Sequence, residues 1–276
     1  MTKDRARFVQ VLGDCVRAGN IGLSCSLLIV GGSIHDARIL RAAGFRNITL
    51  SNLEDSADAK LRQPDDADWK VLHADAEDMR IPDGSFDLVL AHEVLHHCRS
   101  PHKALLEMLR VSRKHVIILE PNDSALMRGL VRARLSFPFE LPAVIANSLA
   151  WGGVRDTCIP NYIYRWSPRD LYQATASFLP ELEFTLYIRR YWDFNVNREE
   201  LALRSQTRIG AFTRILGPDL FLYALHIFQA VANRLPWLGS QGNKFFGCIT
   251  KEDRLKPWLV RDGDRIAFNP EYAKRP

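Results

Sequence analysis

A doubly wound, parallel α/β sheet is the fold this sequence predicts, on three observations. Short, continuous apolar runs alternate with helix-period segments, as in strands buried on both faces that are joined by helical crossovers. Residues that cap helices or turn the chain stand at the joints between them. The 276 residues, 47% hydrophobic and 25% charged, suffice for one α/β domain with an elaboration.

The elements read as follows. Phe8, Val9, Leu12, Cys15 and Val16 recur at helical spacing and predict an amphipathic helix. Ser26–Val30 is an apolar run ending in Gly31-Gly32, a first strand, and Asp36 to Ala43 is a helix stopped by Gly44. Phe45–Leu50, Trp69–His73, Phe86–Ala91 and His115–Leu119 supply further strands, with the Asp83-Gly84-Ser85 turn before the fourth. Ser100-Pro101 and Ser167-Pro168-Arg169-Asp170 each place a cap and a first-turn proline at a helix start. Residues Asn122–Arg165 lose the regular period and read as an insertion or lid. Glu183–Trp192 and Lys244–Thr250 are late strands. The block between them, with Phe212, Ile215, Phe221, Leu225, Phe228 and Val231, is a helix expected to pack on the sheet or against a dimer partner. Residues 1–121 form the ligand-binding half and residues 122–276 the insertions and last strands of the same domain.

Composition excludes some classes of function. No apolar stretch has the length of a membrane span, and no export signal is visible at the N-terminus. Five scattered cysteines without a C-x-x-C pair suit a reducing, cytoplasmic setting. A net charge of +5 lacks the zinc-finger spacing or aromatic pattern of nucleic-acid binding, so an anionic small molecule is the preferred partner over nucleic acid.

Ligands of such sheets lie at the carboxyl ends of the strands. The first such loop is Gly31-Gly32-Ser33, and the second holds Asn52, Leu53, Glu54 and Asp55, where a carboxylate or amide can accept from ribose hydroxyls. The third is more informative. His73-Ala74-Asp75-Ala76-Glu77-Asp78-Met79-Arg80-Ile81-Pro82-Asp83-Gly84-Ser85-Phe86-Asp87-Leu88-Val89, then His92-Glu93-Val94-Leu95-His96-His97, resembles the class I methyltransferases of the small-molecule group called type 11. The resemblance runs from Leu27 to Pro121. It implies a mostly parallel, seven-stranded, Rossmann-like methyltransferase sheet with helical insertions, and S-adenosylmethionine as cofactor. It also implies that Asp75 accepts from the adenine amino group while the backbone at Ala76 and Glu77 reaches the ring. Gly31, Gly32 and Ser33 then face the cofactor, Asn52, Leu53 and Glu54 its ribose, and His92 lines the pocket. Two positions depart from the family: its first glycine motif reads Gly31, Ser33, His35 with Ile29 at the acidic place, and Asn52 replaces the usual aspartate, which passes the ribose role to Glu54.

The sulfonium makes the methyl group electrophilic, so the protein needs only to align an acceptor and, for a hydroxyl, to remove its proton. His96 and His97, just past the fourth strand, are the candidate bases. The expected activity is O-methylation of a small molecule: an anionic compound, a sugar or a secondary metabolite. The alternatives are a catalytically silent protein that binds the cofactor and, more remotely, a zinc hydrolase using His92-Glu93-Val94-Leu95-His96, which satisfies H-E-x-x-H. Because that motif follows a strand instead of sitting inside a helix, the sequence predicts no metal ligands.

Overall fold

The computed structural model describes residues 3–18, 21–53, 69–194, 196, 198, 201 and 208–274. Along the chain come α1 (Lys3–Ala18), β1 (Ser26–Val30), α2 (Ile34–Ala42), β2 (Asn47–Asn52), β3 (Trp69–His73), β4 (Phe86–His92), α3 (Pro101–Val111) and β5 (Ser112–Pro121). Then follow α4 (Ala125–Arg132), α5 (Leu141–Ala146), α6 (Pro168–Phe178), β6 (Leu182–Tyr191), α7 (Arg208–Leu216), α8 (Pro218–Ala232), α9 (Pro236–Gly239), β7 (Lys244–Leu255), β8 (Leu259–Asp262) and β9 (Arg265–Phe268).

Seven strands form one sheet in the order β3-β2-β1-β4-β5-β7-β6, in which β7 alone runs antiparallel to its neighbours. Side chains alternate across a strand, and the central strands are apolar on both faces over Leu27–Val30, Leu88–Ala91 and Val116–Leu119, so each feeds two cores. Leu27, Ile29, Leu88, Leu90, Ile117 and Leu119 pack with Leu12 and Cys15 of α1 and Leu40 of α2. Leu28, Val30, Val89, Ala91, Val116 and Ile118 face the other way, toward Leu105, Met108 and Leu109 of α3 and Leu171 of α6. The chain passes from β1 outward to β2 and β3, then returns to the opposite side of β1 with β4. This reversal opens a crevice above the carboxyl ends of β1 and β4.

Local chemistry explains the boundaries. Ser33 caps α2 and Ser167 caps α6, each in a reciprocal capping box with Asp36 or Asp170. Gly44 closes the turn after α2 at φ +105°, a conformation that costs glycine little. The second strand starts later than the apolar run suggests. Phe45 and Arg46 belong to the turn, where the Phe45 ring is buried in the core, and the strand continues to Asn52. Sequence reading also missed the β8–β9 hairpin, although its two-residue Gly263-Asp264 turn is a recognisable signal. The helical block divides at Gly217 into α7 and α8. Instead of packing along the sheet, α8 buries only Ala232 among its 15 residues.

Candidate active site

The crevice holds a cavity of about 330 Å³. Its floor comes from the ends of four strands: Gly31 after β1, Asn52 and Leu53 at β2, Ala74 to Glu77 after β3, and His92 to Val94 with His97 after β4. Its roof comes from the irregular segment, through Glu140, Asn147, Trp151, Gly153 and Arg155. The stretch read as a lid therefore covers the crevice. Ser148, Leu149, Arg155 and Asp156 in that roof all hold positive φ angles, the strained backbone that a site needs when the chain must present particular side chains.

Each predicted cofactor residue has a definite place. Gly31 sits at φ +60°, where an added Cβ would stand 2.5 Å from Val94, so the wall admits no side chain there. Gly32 is buried behind that wall, and the Ser33 hydroxyl is spent on the α2 cap, donating to Asp36 at 2.6 Å. Neither lines the cavity. Asn52 ends β2 and turns its carboxamide oxygen to the Leu53 amide at 2.9 Å, while Glu54 lies outside the described residues. Asp75 lines the cavity, with one oxygen accepting from the Glu77 amide (2.9 Å) and the other from Arg155 (2.7 Å). Burial opposes ionisation of Asp75, but these donors outweigh it and keep its carboxyl below the usual range. Ala76 lines the cavity beside it. The Glu77 carboxylate accepts from the Arg99 and Ser100 amides at 3.0 and 2.9 Å, so it anchors the start of α3 and leaves only its flank to the cavity. His92 faces the cavity and pairs through Nδ1 with Asp36 at 3.3 Å.

The two candidate bases differ sharply. His96 is 5% exposed and lies between carboxylates, with Nδ1 2.6 Å from Glu120 and Nε2 3.2 Å from Glu140. Burial works against charging this ring, but Glu120 and Glu140 win and raise its pKa to about 10. It is an imidazolium with both protons committed. His97 lines the cavity instead. Its Nδ1 lies 3.2 Å from the Gly153 carbonyl, which can only accept, so the ring proton belongs there, and Nε2 lies 3.4 Å from Glu140, a contact that turns attractive when that nitrogen takes a proton. Burial, reinforced by the charge on His96, lowers the His97 pKa and keeps it neutral. Glu140 also accepts from Asn161 at 3.1 Å, and despite burial its histidine neighbours hold its carboxyl low.

The H-E-x-x-H residues do not share a helix. His92 closes β4, Glu93 has a positive φ and pairs with Lys244, and His96 sits in a 3-10 turn. Among the described residues, the trio close enough to share an ion is His96, His97 and Glu140, whose ligand atoms lie within 4.8 Å of one another.

No curated protein matches this chain in sequence. Residues 30–119 match the family model for a methyltransferase domain, the stretch that contributes β1 to β5 and most of the cavity floor. Over that stretch the chain is similar to the class I, S-adenosylmethionine-dependent methyltransferases. Its fold is shared with the protein solved in complex with the Trm112 methyltransferase activator from Haloferax volcanii (14% identity, 89% of this chain and 90% of that one, TM-score 0.52). Weaker likenesses are to YcgJ of Bacillus subtilis (13%, 92% and 99%, TM-score 0.49) and an S-adenosylmethionine-dependent methyltransferase of Mesorhizobium loti (12%, 87% and 96%, TM-score 0.47). The cofactor fits the cavity found here: a Cβ-free wall at Gly31, amide and carboxylate acceptors at Asn52 and Asp75, and a switch point between β1 and β4.

The chain has a second chamber beside the first, of about 490 Å³. Met127, Leu130, Phe137, Trp192, Phe194, Phe221 and Leu225 give it a largely apolar wall. Glu93, Glu140 and Ala143 line both chambers, so the two meet at the Glu140–His97 pair. Sequence reasoning missed Glu140, yet a signal existed: it is the one acidic residue between Asp123 and Asp156. Glu120 was equally legible as a carboxylate closing an apolar strand, and it holds the whole turn after β4.

Proposed function

We propose that this chain transfers a methyl group from S-adenosylmethionine to a hydroxyl of a small-molecule acceptor, with His97 as the base and Glu140 as its partner. The observation that carries the reading is the junction: a neutral histidine and a carboxylate stand where the cofactor cavity meets a second, apolar chamber. When bound, the cofactor supplies an electrophilic methyl group on a sulfonium. Gly31, Asn52, Asp75 and Ala76 would hold it, with Glu77 and His92 on the flanks; Gly32 and Ser33 shape the wall from behind. Asn147, Trp151 and Arg155 line the cavity from the irregular segment, where they would shield the bound cofactor from solvent.

The acceptor's proton passes to His97 Nε2. Its Nδ1–H stays on the Gly153 carbonyl, and the new imidazolium lies 3.4 Å from the Glu140 carboxylate, which offsets the charge. His96 takes no proton, since both of its nitrogens already hold one. It positions Glu140 from below. The apolar second chamber favours an acceptor with a hydrocarbon body over a sugar. Five free thiols support a reducing, cytoplasmic setting.

The test is S-adenosylhomocysteine formation over a panel of apolar alcohols and phenols. His97→Ala should lower kcat by roughly 10²–10⁴-fold while cofactor affinity in calorimetry stays unchanged. Because the pKa of His97 lies below its usual 6.5, the rising limb of kcat/KM belongs below pH 6.5, and the variant should lose it. Undiminished turnover in His97→Ala would overturn the base assignment. Cofactor binding without turnover on any acceptor would assign the chain to the silent binders instead.

A further inference from the structure

Helices α7 and α8 are the largest feature that the cleft does not explain. An all-round apolar helix is ordinarily buried in protein or lipid, yet α8, with the sequence Pro-Asp-Leu-Phe-Leu-Tyr-Ala-Leu-His-Ile-Phe-Gln-Ala-Val-Ala, buries only Ala232. Leu220, Tyr223, Ile227 and Val231 recur at helical spacing on one exposed face of α8, with Tyr223 65% exposed, and Ile215 of α7 (80%) and Trp237 of α9 (69%) are exposed on the helices before and after it. Such a patch marks an interaction site. Neither helix is long enough to cross a membrane, but the two, bent by 109° at Gly217, together have the length and hydropathy of a bent membrane-inserting pair.

Charge selects the occupant. From Arg208 to Gly239 the basic residues are Arg208, Arg214 and Arg234, and the one acidic residue, Asp219, pairs with Arg198. Arg132 and Arg134 add positive charge at the end of α4, with no acidic residue from Ser124 to Phe139. A two-fold pairing of this surface with a second copy would set these arginines near their own images, whereas an anionic bilayer complements them. The inner faces of the same elements continue into the chamber. Ile209, Phe221 and Leu225 line it together with Met127 and Leu130 of α4.

We propose that α7 and α8 form an interfacial docking surface for an anionic lipid bilayer, lying in the headgroup–acyl boundary and opening the apolar chamber to acceptors held in the membrane. The docking stands on the exposed surface and its charge. The route for the acceptor rests in addition on the methyl-transfer reading. Tyr223 and Trp237 suit the wet edge of such an interface, where amphipathic rings collect.

The experiment is co-sedimentation of the full chain with vesicles of phosphatidylcholine alone or mixed with phosphatidylglycerol, beside analytical ultracentrifugation without lipid. Binding should require the anionic lipid, weaken with added salt, and fall about tenfold or more in Ile215→Asp/Tyr223→Asp, from lost apolar insertion. Arg132→Glu/Arg134→Glu should weaken it by at least about fivefold per arginine. Calorimetry with S-adenosylmethionine monitors each variant's fold. Equal binding to both vesicle types, or none, overturns the proposal, as does a lipid-free dimer dissolved by the aspartate substitutions. Vesicle binding by a chain that does not bind the cofactor would refute the methyl-transfer reading and leave the docking surface standing.

Discussion

Removing the Glu120 side chain should cost this fold a large share of its stability, for reasons that can be counted. Glu120 is fully buried at the end of β5. One of its oxygens accepts from the Val94 and Leu95 amides at 2.9 and 2.8 Å, and the other from His96 at 2.6 Å. Glu120→Ala orphans two backbone donors and leaves the His96 imidazolium with Glu140 alone. Breaking a buried ion pair from one side costs ~3–5 kcal/mol, and a small domain has only about 5–15 kcal/mol in total. Glu120→Gln should cost less, ~1–3 kcal/mol, because the amide oxygen can still accept from both backbone amides while the charge pairing goes. Urea unfolding followed by circular dichroism measures both, with the slope checked for two-state behaviour. The linkage has a sign as well. His96 has its folded pKa raised to about 10 from 6.5, so its stabilisation is fully present below pH 6.5 and is lost as pH rises through about 10. Wild type should therefore lose stability more steeply than Glu120→Gln across that window. A loss under about 1 kcal/mol in Glu120→Ala, or identical pH slopes, would refute the picture of a buried, charged His96 held by Glu120.

Two further outcomes follow from the cleft. Asp75→Ala should weaken S-adenosylmethionine binding by ~1–3 kcal/mol in calorimetry; since it also strips Arg155 of its partner, Arg155→Ala and the double variant complete a cycle that isolates the adenine contact. Unchanged affinity in the single variant would displace the adenine site. Elemental analysis of the purified chain should find no stoichiometric zinc that is lost on His92→Ala, because His92 and His96 do not share a helix. Bound metal that disappears with Glu140→Gln would instead make His96, His97 and Glu140 a metal centre and remove His97 from the role of base.

Much of this was legible in the sequence, because it depends on neighbours along the chain. The alternation of strands and helices, the capping serines Ser100 and Ser167, and the Gly44 stop are local effects and read correctly, whereas the cap that Ser33 makes on α2 went unread and β5 and β7 run three and five residues beyond the apolar stretches. The second strand was displaced because Phe45 is apolar for the sake of the core and not of the sheet. The cleft floor, Gly31, Asn52 and Asp75 to Glu77, was also legible, since topology alone puts strand ends together.

The covering segment was legible as a lid, but the contacts it makes and the protonation of the two histidines were not. Nothing in the spacing of His96 and His97 distinguishes them; the distinction arises because Glu120, 24 residues on, and Glu140 enclose one ring while the Gly153 carbonyl turns the other to the cavity. Arg155 reaches Asp75 across 80 residues through a left-handed backbone that no periodicity signals. The apolar block was visible as a helix, but whether it faced protein or solvent depended on what else packed beside it. The sequence by itself determined the sheet, its caps and the places where strands end, all set by interactions within a few residues. The proton states of the two histidines, the meeting of the chambers at Glu140 and the bare face of α8 were decided only by the tertiary structure, because burial and charge act between groups brought close through space.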